Sequence, residues 1–302
     1  MKIFLVGGLG FIGKRFIRKY SQQNNIVVYA IKNDIIKSKK FLEEFKVEVI
    51  EGAVEEDHLS EIINNQNPEV VIHLAALTGL VKCHDDPNNA FKINIFGTYN
   101  VVKSCTNVGC KLIFISSREV YGETISKNTS EGDVLLPNNV YGITKMLGEN
   151  IVQLFGEKQN LDFTILRLTN VYGPEGDQYG AEVIINKAIK EKKIQILGGE
   201  QRLNYVYVDD VIEVIYSCIT NKKSSGEIFN VGSRDTVSIR DFVDRVVKIM
   251  GEDIKIEISP MRETETTNFE PNLTRIQQYL QLPQTSLNDG IKKTIEWYSN
   301  KI

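Results

Sequence analysis

Four glycines crowd the stretch Val6-Gly7-Gly8-Leu9-Gly10-Phe11-Ile12-Gly13, between an apolar run at 2–6 and an amphipathic run at 11–20. Read as strand, turn and helix, that order leaves few folds open. Glycine lets the backbone turn sharply and approach a ligand closely. The free N–H groups at the helix start, together with the positive end of its dipole, suit a pyrophosphate. Gly7, Gly10, Phe11, Ile12 and Gly13 are therefore the candidate dinucleotide contacts.

The first half keeps this rhythm. Apolar runs at 26–31, 47–50, 70–74, 111–116 and 162–168 read as strands, and segments around 37–45, 59–64, 87–107 and 140–158 as helices, as in βαβ units on a parallel sheet. Beyond Gly173-Pro174 come a helix at 181–191, short strands at 194–197 and 204–208, and a further helix. The last third adds a strand at 228–231, a helix at 239–250, an extended run at 254–258 and two terminal helices. The expectation is an α/β chain: a Rossmann-type doubly wound parallel sheet with a smaller, interleaved C-terminal α/β substrate lobe. The dinucleotide-binding domain would take 1–173 plus about 205–235, and the substrate lobe about 174–204 and 236–302.

Charge and composition narrow the partners. The 302 residues carry 36 Lys and Arg against 39 Asp and Glu, a formal net charge of −3, so no basic excess points to nucleic acid or a membrane surface. No apolar run approaches the ~18 residues of a membrane span, and no charged leader precedes an apolar signal region, so a cytoplasmic location is expected. Cys83, Cys105, Cys110 and Cys218 lack CxxC spacing and are expected as reduced thiols. His58, His73 and His84 share no metal-ligand spacing, so no metal site is expected.

Tyr141-Gly142-Ile143-Thr144-Lys145 places a phenol and an ammonium one helical turn apart on one face. The ammonium is expected to lower the phenol's pKa, so that the phenol takes a proton from a hydroxyl as hydride leaves. Tyr99 and Lys103 repeat the spacing. The choice falls on Tyr141 because Phe114-Ile115-Ser116-Ser117-Arg118-Glu119-Val120-Tyr121-Gly122 precedes it at the carboxyl end of a strand, where open α/β sheets gather ligands. Ser117 there can steady the same proton transfer. Tyr99 and Lys103 go to a helix surface or subunit contact.

These segments occur in order with His73-Leu74-Ala75-Ala76, Asn94-Ile95-Phe96-Gly97-Thr98, Arg167-Leu168-Thr169-Asn170-Val171-Tyr172-Gly173-Pro174, Tyr205-Val206-Tyr207-Val208-Asp209-Asp210 and Phe229-Asn230-Val231-Gly232-Ser233. Across essentially the whole chain they resemble the extended short-chain dehydrogenase/reductase family of nucleotide-sugar epimerases, dehydratases and decarboxylases. The resemblance implies a bound NAD, a nucleotide-diphosphate sugar substrate and a homodimer, with the helices at 94–105 and 141–154 forming a four-helix contact. It assigns Ser117, Tyr141 and Lys145 to catalysis. Ala75, Ala76 and Asn94 go to the cofactor, with Lys145 also holding the nicotinamide ribose. Ser117, Arg118, Asn170, Arg202 and Arg262 go to the substrate.

Departures from the family pattern leave three questions open. After the second strand the chain reads Ile31-Lys32-Asn33-Asp34, so the acid that would hold an NAD ribose is displaced; Lys32 either meets the extra phosphate of NADP or is a solvated lysine. The aspartate expected to contact adenine is replaced in Gly52-Ala53-Val54, and Leu203-Asn204 stands where an arginine and aspartate are expected; Arg202, one place earlier, either substitutes for them or the sugar nucleotide sits differently. In Ser117-Arg118-Glu119, the glutamate is either the base that takes a C5 proton in a dehydratase or a partner of Arg118, which replaces the usual dehydratase acid. The leading expectation is an epimerase acting through a 4-keto sugar. A 4,6-dehydratase or related decarboxylase using Glu119 comes next, then an NADPH-dependent 4-keto-sugar reductase, and outside enzymes a dinucleotide-sensing protein on the same fold.

Overall fold

A computed structural model describes residues 1–124, 128–176, 180–251, 253–261, 268–280 and 284–300. The chain divides into two compact units: residues 1–120, 137–167 and 215–229 form the first, and 121–136, 168–214 and 230–302 the second.

In the first unit the glycine stretch stands where the sequence puts it. Strand β1 (Lys2–Val6) feeds through the turn into α1 (Phe11–Tyr20). There follow β2 (Asn25–Ala30), α2 (Lys32–Lys37), α3 (Lys39–Phe45), β3 (Glu48–Glu51), α4 (Leu59–Gln66) and β4 (Val70–His73). A short α5 (Leu80–Asp85) and α6 (Pro87–Phe91) then lead through a π-helical turn, Lys92–Phe96, into α7 (Gly97–Val108). Strand β5 (Lys111–Ser117) ends in a 3₁₀ turn, Arg118–Val120, and the long α8 (Val140–Gln159) precedes β6 (Phe163–Leu168).

The described strands build a seven-stranded sheet in the order β10-β6-β5-β4-β1-β2-β3, where β10 is Glu227–Val231. The pairs β1 with β2 and β4, β2 with β3, and β4 with β5 are all parallel. The order reverses direction at β1 and β4, the switch point of a doubly wound fold, and the ligand side is the carboxyl end of these strands. Unlike an edge strand, β1 and β5 are buried along nearly their whole length because helices cover both faces. Phe4, Val6, Val27, Tyr29, Val71, Leu112, Phe114 and Ile165 from the strands pack with Leu59, Val101 and Val152 from the helices in one core.

The second unit uses β7 (Asn170–Tyr172), α9 (Ala181–Glu191), β8 (Lys193–Leu197), β9 (Arg202–Tyr207) and the start of α10 (Val208–Thr220). To these it adds β11 (Thr236–Ser238), α11 (Ile239–Met250), β12 (Lys255–Ser259), α12 (Thr274–Tyr279) and α13 (Leu287–Ser299). Strand β9 pairs parallel with β7 and antiparallel with β11, and β12 pairs parallel with β8. Its core gathers Tyr172, Ile185, Ile194, Tyr205, Tyr207, Phe242, Val246 and Ile291. Helix α11 starts with a full capping box: the Ser238 hydroxyl accepts from Asp241 N, and the Asp241 carboxylate accepts from Ser238 N. Among the described residues no helix is long and apolar enough to cross a membrane.

Candidate active site

The turn after β1 is shaped by its glycines. Gly7 lies at φ +81°, and a Cβ there would stand 2.6 Å from the backbone of Ala75. The Gly7 N–H donates to Tyr29 O at 2.8 Å, while Leu74 and Ala75 N–H groups both donate to Val6 O at 2.8 Å, so the turn and the segment after β4 are pinned side by side. A Cβ on Gly13 would come 2.3 Å from Gly8 O, so α1 seats directly on the turn. Gly10 is the N-cap of α1 and offers no side-chain cap, which leaves the first-turn amides of the helix to a ligand. A narrow glycine cradle against Ala75 with open helix-start amides fits the pyrophosphate of NAD. At the end of β2, Lys32 is exposed as the first residue of α2, with Asp34 in the same first turn.

Asn94 sits in the π-helical turn and is 2% exposed. Its Oδ1 accepts from Leu77 N at 2.7 Å, and its Nδ2 donates to Leu77 O at 3.0 Å and to Thr144 Oγ1 at 2.9 Å. The amide is thus spent on protein, tying the Ala75-Ala76 segment to α8 one residue from Lys145.

Ser117 at the end of β5 stands close enough to Tyr141, in the first turn of α8, for its hydroxyl to act on the phenol. Lys145, one turn on, is buried; its Nζ donates to Ile115 O at 2.8 Å and lies 5.9 Å from the centre of the Tyr141 ring. Burial pulls the Lys145 ammonium down to about 8, against the Glu149 carboxylate, which favours the charge. The phenol does not follow the expectation drawn from spacing. Burial pushes the Tyr141 pKa up, the Glu119 carboxylate and the Cys83 thiol add to the rise, and only the Ser117 hydroxyl opposes it. Desolvation outweighs a neighbouring ammonium that is committed to a backbone carbonyl.

Three features of this site go beyond the spacing that singles out Ser117, Tyr141 and Lys145. Glu149, fully buried on α8, accepts from Arg167 Nε at 3.0 and 3.1 Å, from Arg167 Nη2 at 2.7 Å, and from the Ser116 hydroxyl. Its one sequence signal is a carboxylate at i+4 from Lys145. Asn139 caps α8, its Oδ1 accepting from Gly142 N at 2.8 Å. Glu119 is engaged on both oxygens: Arg118 Nη2 stands 2.8 Å from Oε1, and Asn139 Nδ2 donates to Oε2 at 2.9 Å.

The second unit carries the other expected residues. Asn170 on β7 donates from Nδ2 to Asn204 O at 2.9 Å, and Arg202 on β9 donates from Nη2 to Thr236 O at 2.7 Å. Asn204 is fully buried and braces Thr169, Ser233 and Thr236, a structural duty. Arg262 lies outside the described residues. In the first unit, His73 holds Thr98 Oγ1 at 3.0 Å and burial drives it down to about 3, so its ring stays neutral. Tyr99 and Lys103 lie on the exposed side of α7. The described cysteines are free and buried, and no described group of acids, histidines and cysteines could hold a metal.

A doubly wound sheet with a glycine cradle at its switch point and a serine, tyrosine and lysine converging beside it defines a nicotinamide enzyme of the extended short-chain dehydrogenase type. The chain belongs to the NAD dependent epimerase/dehydratase family, whose model matches residues 3–232. It is similar over 99% of its length to 98% of a putative UDP-glucose 4-epimerase of Methanocaldococcus jannaschii, at 28% identity. It is also 28% identical to a dTDP-D-glucose 4,6-dehydratase of Bos taurus, over 98% of this chain and 88% of that one. A crystal structure of UDP-glucuronic acid 4-epimerase from Bacillus cereus, in complex with UDP-glucuronic acid and NAD, superposes with a TM-score of 0.92 at 25% identity, covering 100% of both chains. Family membership makes the chain an NAD-dependent enzyme rather than a sensor on the same fold.

Proposed function

We propose that the protein is a nucleotide-sugar 4-epimerase that works through a 4-keto sugar. The observation that carries this reading is Glu119. The carboxylate that a dehydratase would need free to take the C5 proton is held at one oxygen by Arg118 and at the other by Asn139. The groups needed at C4 stand together in Ser117, Tyr141 and Lys145.

Bound NAD supplies the acceptor and later the donor of hydride. Tyr141 acts in its phenolate form, which the Lys145 ammonium favours against the burial that raises its pKa; it takes the proton of the sugar C4 hydroxyl and returns it after the keto sugar has presented its other face. Ser117 hydrogen-bonds the phenol and the reacting oxygen, which keeps both within the ~3 Å that proton transfer requires. Lys145, charged below about 8, sets a positive charge beside that phenolate, and Glu149 sustains that charge. Gly7, Gly10, Phe11, Ile12, Gly13, Ala75 and Ala76 are assigned to NAD, with Asn94 positioning the alanines. Asn170, Arg202 and Arg262 are assigned to the nucleotide diphosphate.

A dehydratase is the second reading, favoured by the bovine relative and by a Glu119 close enough to act on the Tyr141 phenol. The protein works as a homodimer through α7, the π-helical turn before it and α8, where Phe96, Tyr99 and Leu154 are 64%, 41% and 53% exposed. A reducing cytoplasm suits its buried free thiols. The deciding experiment is an NMR time course of the protein with NAD and a panel of UDP-, dTDP- and GDP-sugars. A C4 epimer with C6 intact is expected; a 4-keto-6-deoxy product sinks the epimerase.

A further inference from the structure

The contacts that hold Glu119 also join the end of β5 to the start of α8. Arg118 Nη2 pairs with Glu119 Oε1 at 2.8 Å, with both side chains 9% exposed. Glu119 Oε2 accepts from Asn139 Nδ2 at 2.9 Å, and Asn139 Oδ1 accepts from Gly142 N at 2.8 Å. Back along the strand, the Glu119 N–H donates to Ser117 Oγ at 3.2 Å. Tyr141 thus lies between the helix cap and the amide it caps, and Ser117 is tied to the same glutamate.

We propose that Arg118, Glu119 and Asn139 form a positioning relay that locks the first turn of α8, and with it Tyr141, against Ser117. The inference rests on the reading of Ser117 and Tyr141 as the groups that handle the C4 proton. Two further observations support it. A Cβ on Gly142 would stand 2.4 Å from Glu119 O and 2.9 Å from Pro137 Cβ, so the helix start is in direct contact with the backbone the relay holds. The choice of cap residue is also specific. Ser, Thr, Asp and Asn all cap helices, but of these Asn combines an acceptor for the amide with a separate N–H donor for the carboxylate. Serine offers one shorter hydroxyl, and aspartate would set carboxylate against carboxylate. Arg118, the residue that departs from the family pattern, closes the far end and balances the Glu119 charge.

The groups acting on the Tyr141 phenol are Glu119 from the 3₁₀ turn, Cys83 from α5 and Ser117 from β5, with Lys145 on its own helix. Glu119 acts to raise the phenol's pKa, so removing its charge lowers the pH at which the phenol ionises.

The test uses the full chain loaded with NAD, UDP-glucose as the first probe or whichever sugar the panel shows to turn over, and the variants Asn139→Ser, Glu119→Ala, Glu119→Gln and Tyr141→Phe. Amide exchange of residues 140–143 gives a readout independent of turnover. Asn139→Ser restores a cap without the donor arm; kcat falls about 10- to 100-fold, the cost of a misplaced reacting group, with KM within about 3-fold. Glu119→Ala falls as far, and exchange at 140–143 speeds up about 10-fold, in line with loss of restraint at a helix end. Glu119→Gln keeps one link, loses less, and its acid limb of kcat moves to lower pH. Wild-type turnover in Asn139→Ser overturns the relay, and so does Glu119→Gln falling as low as Tyr141→Phe, since that makes the carboxylate a proton carrier. If the wild type turns over no sugar, the functional reading fails by itself; unchanged exchange in Glu119→Ala would then still overturn the relay.

Discussion

Lys145 should cost the fold stability that its chemistry requires. The residue is 4% exposed, and burial brings its ammonium from the ordinary 10.5 to about 8. Below about 8 the folded and unfolded chains both carry the proton, and the folded one bears the full penalty. Between about 8 and 10.5 the unfolded chain holds more proton, so stability rises with pH through that window. At ~1.4 kcal/mol per pKa unit the handicap is about 3 kcal/mol near pH 7, and about 2.5 kcal/mol of it disappears by pH 10. Lys145→Met keeps an apolar stem but removes the ammonium, which lies 5.1 Å from the centre of the Phe114 ring; it also strands Ile115 O, at a cost of about 1–3 kcal/mol that does not vary with pH. Urea unfolding of both proteins at pH 7, 8, 9 and 10 isolates the titrating part. The wild type should gain about 2.5 kcal/mol on the variant across that range. A stability difference that stays flat with pH would refute the reasoning, because it would mean that the ammonium is not desolvated.

Arg167→Met leaves Glu149 charged and buried without its guanidinium, and should destabilise by about 3–5 kcal/mol, whereas the double variant Arg167→Met/Glu149→Leu should recover most of the loss in denaturant titrations. Gly7→Ala forces a side chain into a φ of +81° and onto the Ala75 backbone; NAD affinity measured by calorimetry should fall at least ~100-fold, since the cradle can admit the Cβ only by opening. Tyr141→Phe should lose about 10²–10⁴-fold in kcat while NAD binding is kept, read by turnover and calorimetry on the same sample.

Periodic features were the easiest to read from the sequence. Helices α1, α9 and α11 begin and end where amphipathic spacing and end signals place them, and the strands of the large sheet fall within a residue or two of their apolar runs. Short elements between strong signals escaped: α2 at Lys32–Lys37 follows an apolar strand end without a cap residue, and α5 at Leu80–Asp85 is too short to show a period. The π-helical turn at Lys92–Phe96 hid within one long helical pattern. At the site, the spacing of Tyr141 and Lys145 and the strand-end Ser117 were visible as local motifs. The pairing of Glu149 with Arg167, and of Glu119 with Asn139, spans 18 and 20 residues and depends on how β5, α8 and β6 pack. The direction of the Tyr141 shift was misread for the same reason: charge order is written in the sequence, but the depth of burial is not.

The central claim is that hydride leaves and returns at C4 with C5 untouched. The most direct test is a UDP-sugar that the protein turns over, incubated with protein and NAD once deuterated at C4 in H2O and once unlabelled in D2O, with the product followed by NMR. The account predicts an epimer that keeps its deuterium at C4 and gains none at C5; deuterium at C5, or its transfer from C4 to C6, would contradict it and put the freed Glu119 carboxylate at the centre of the reaction.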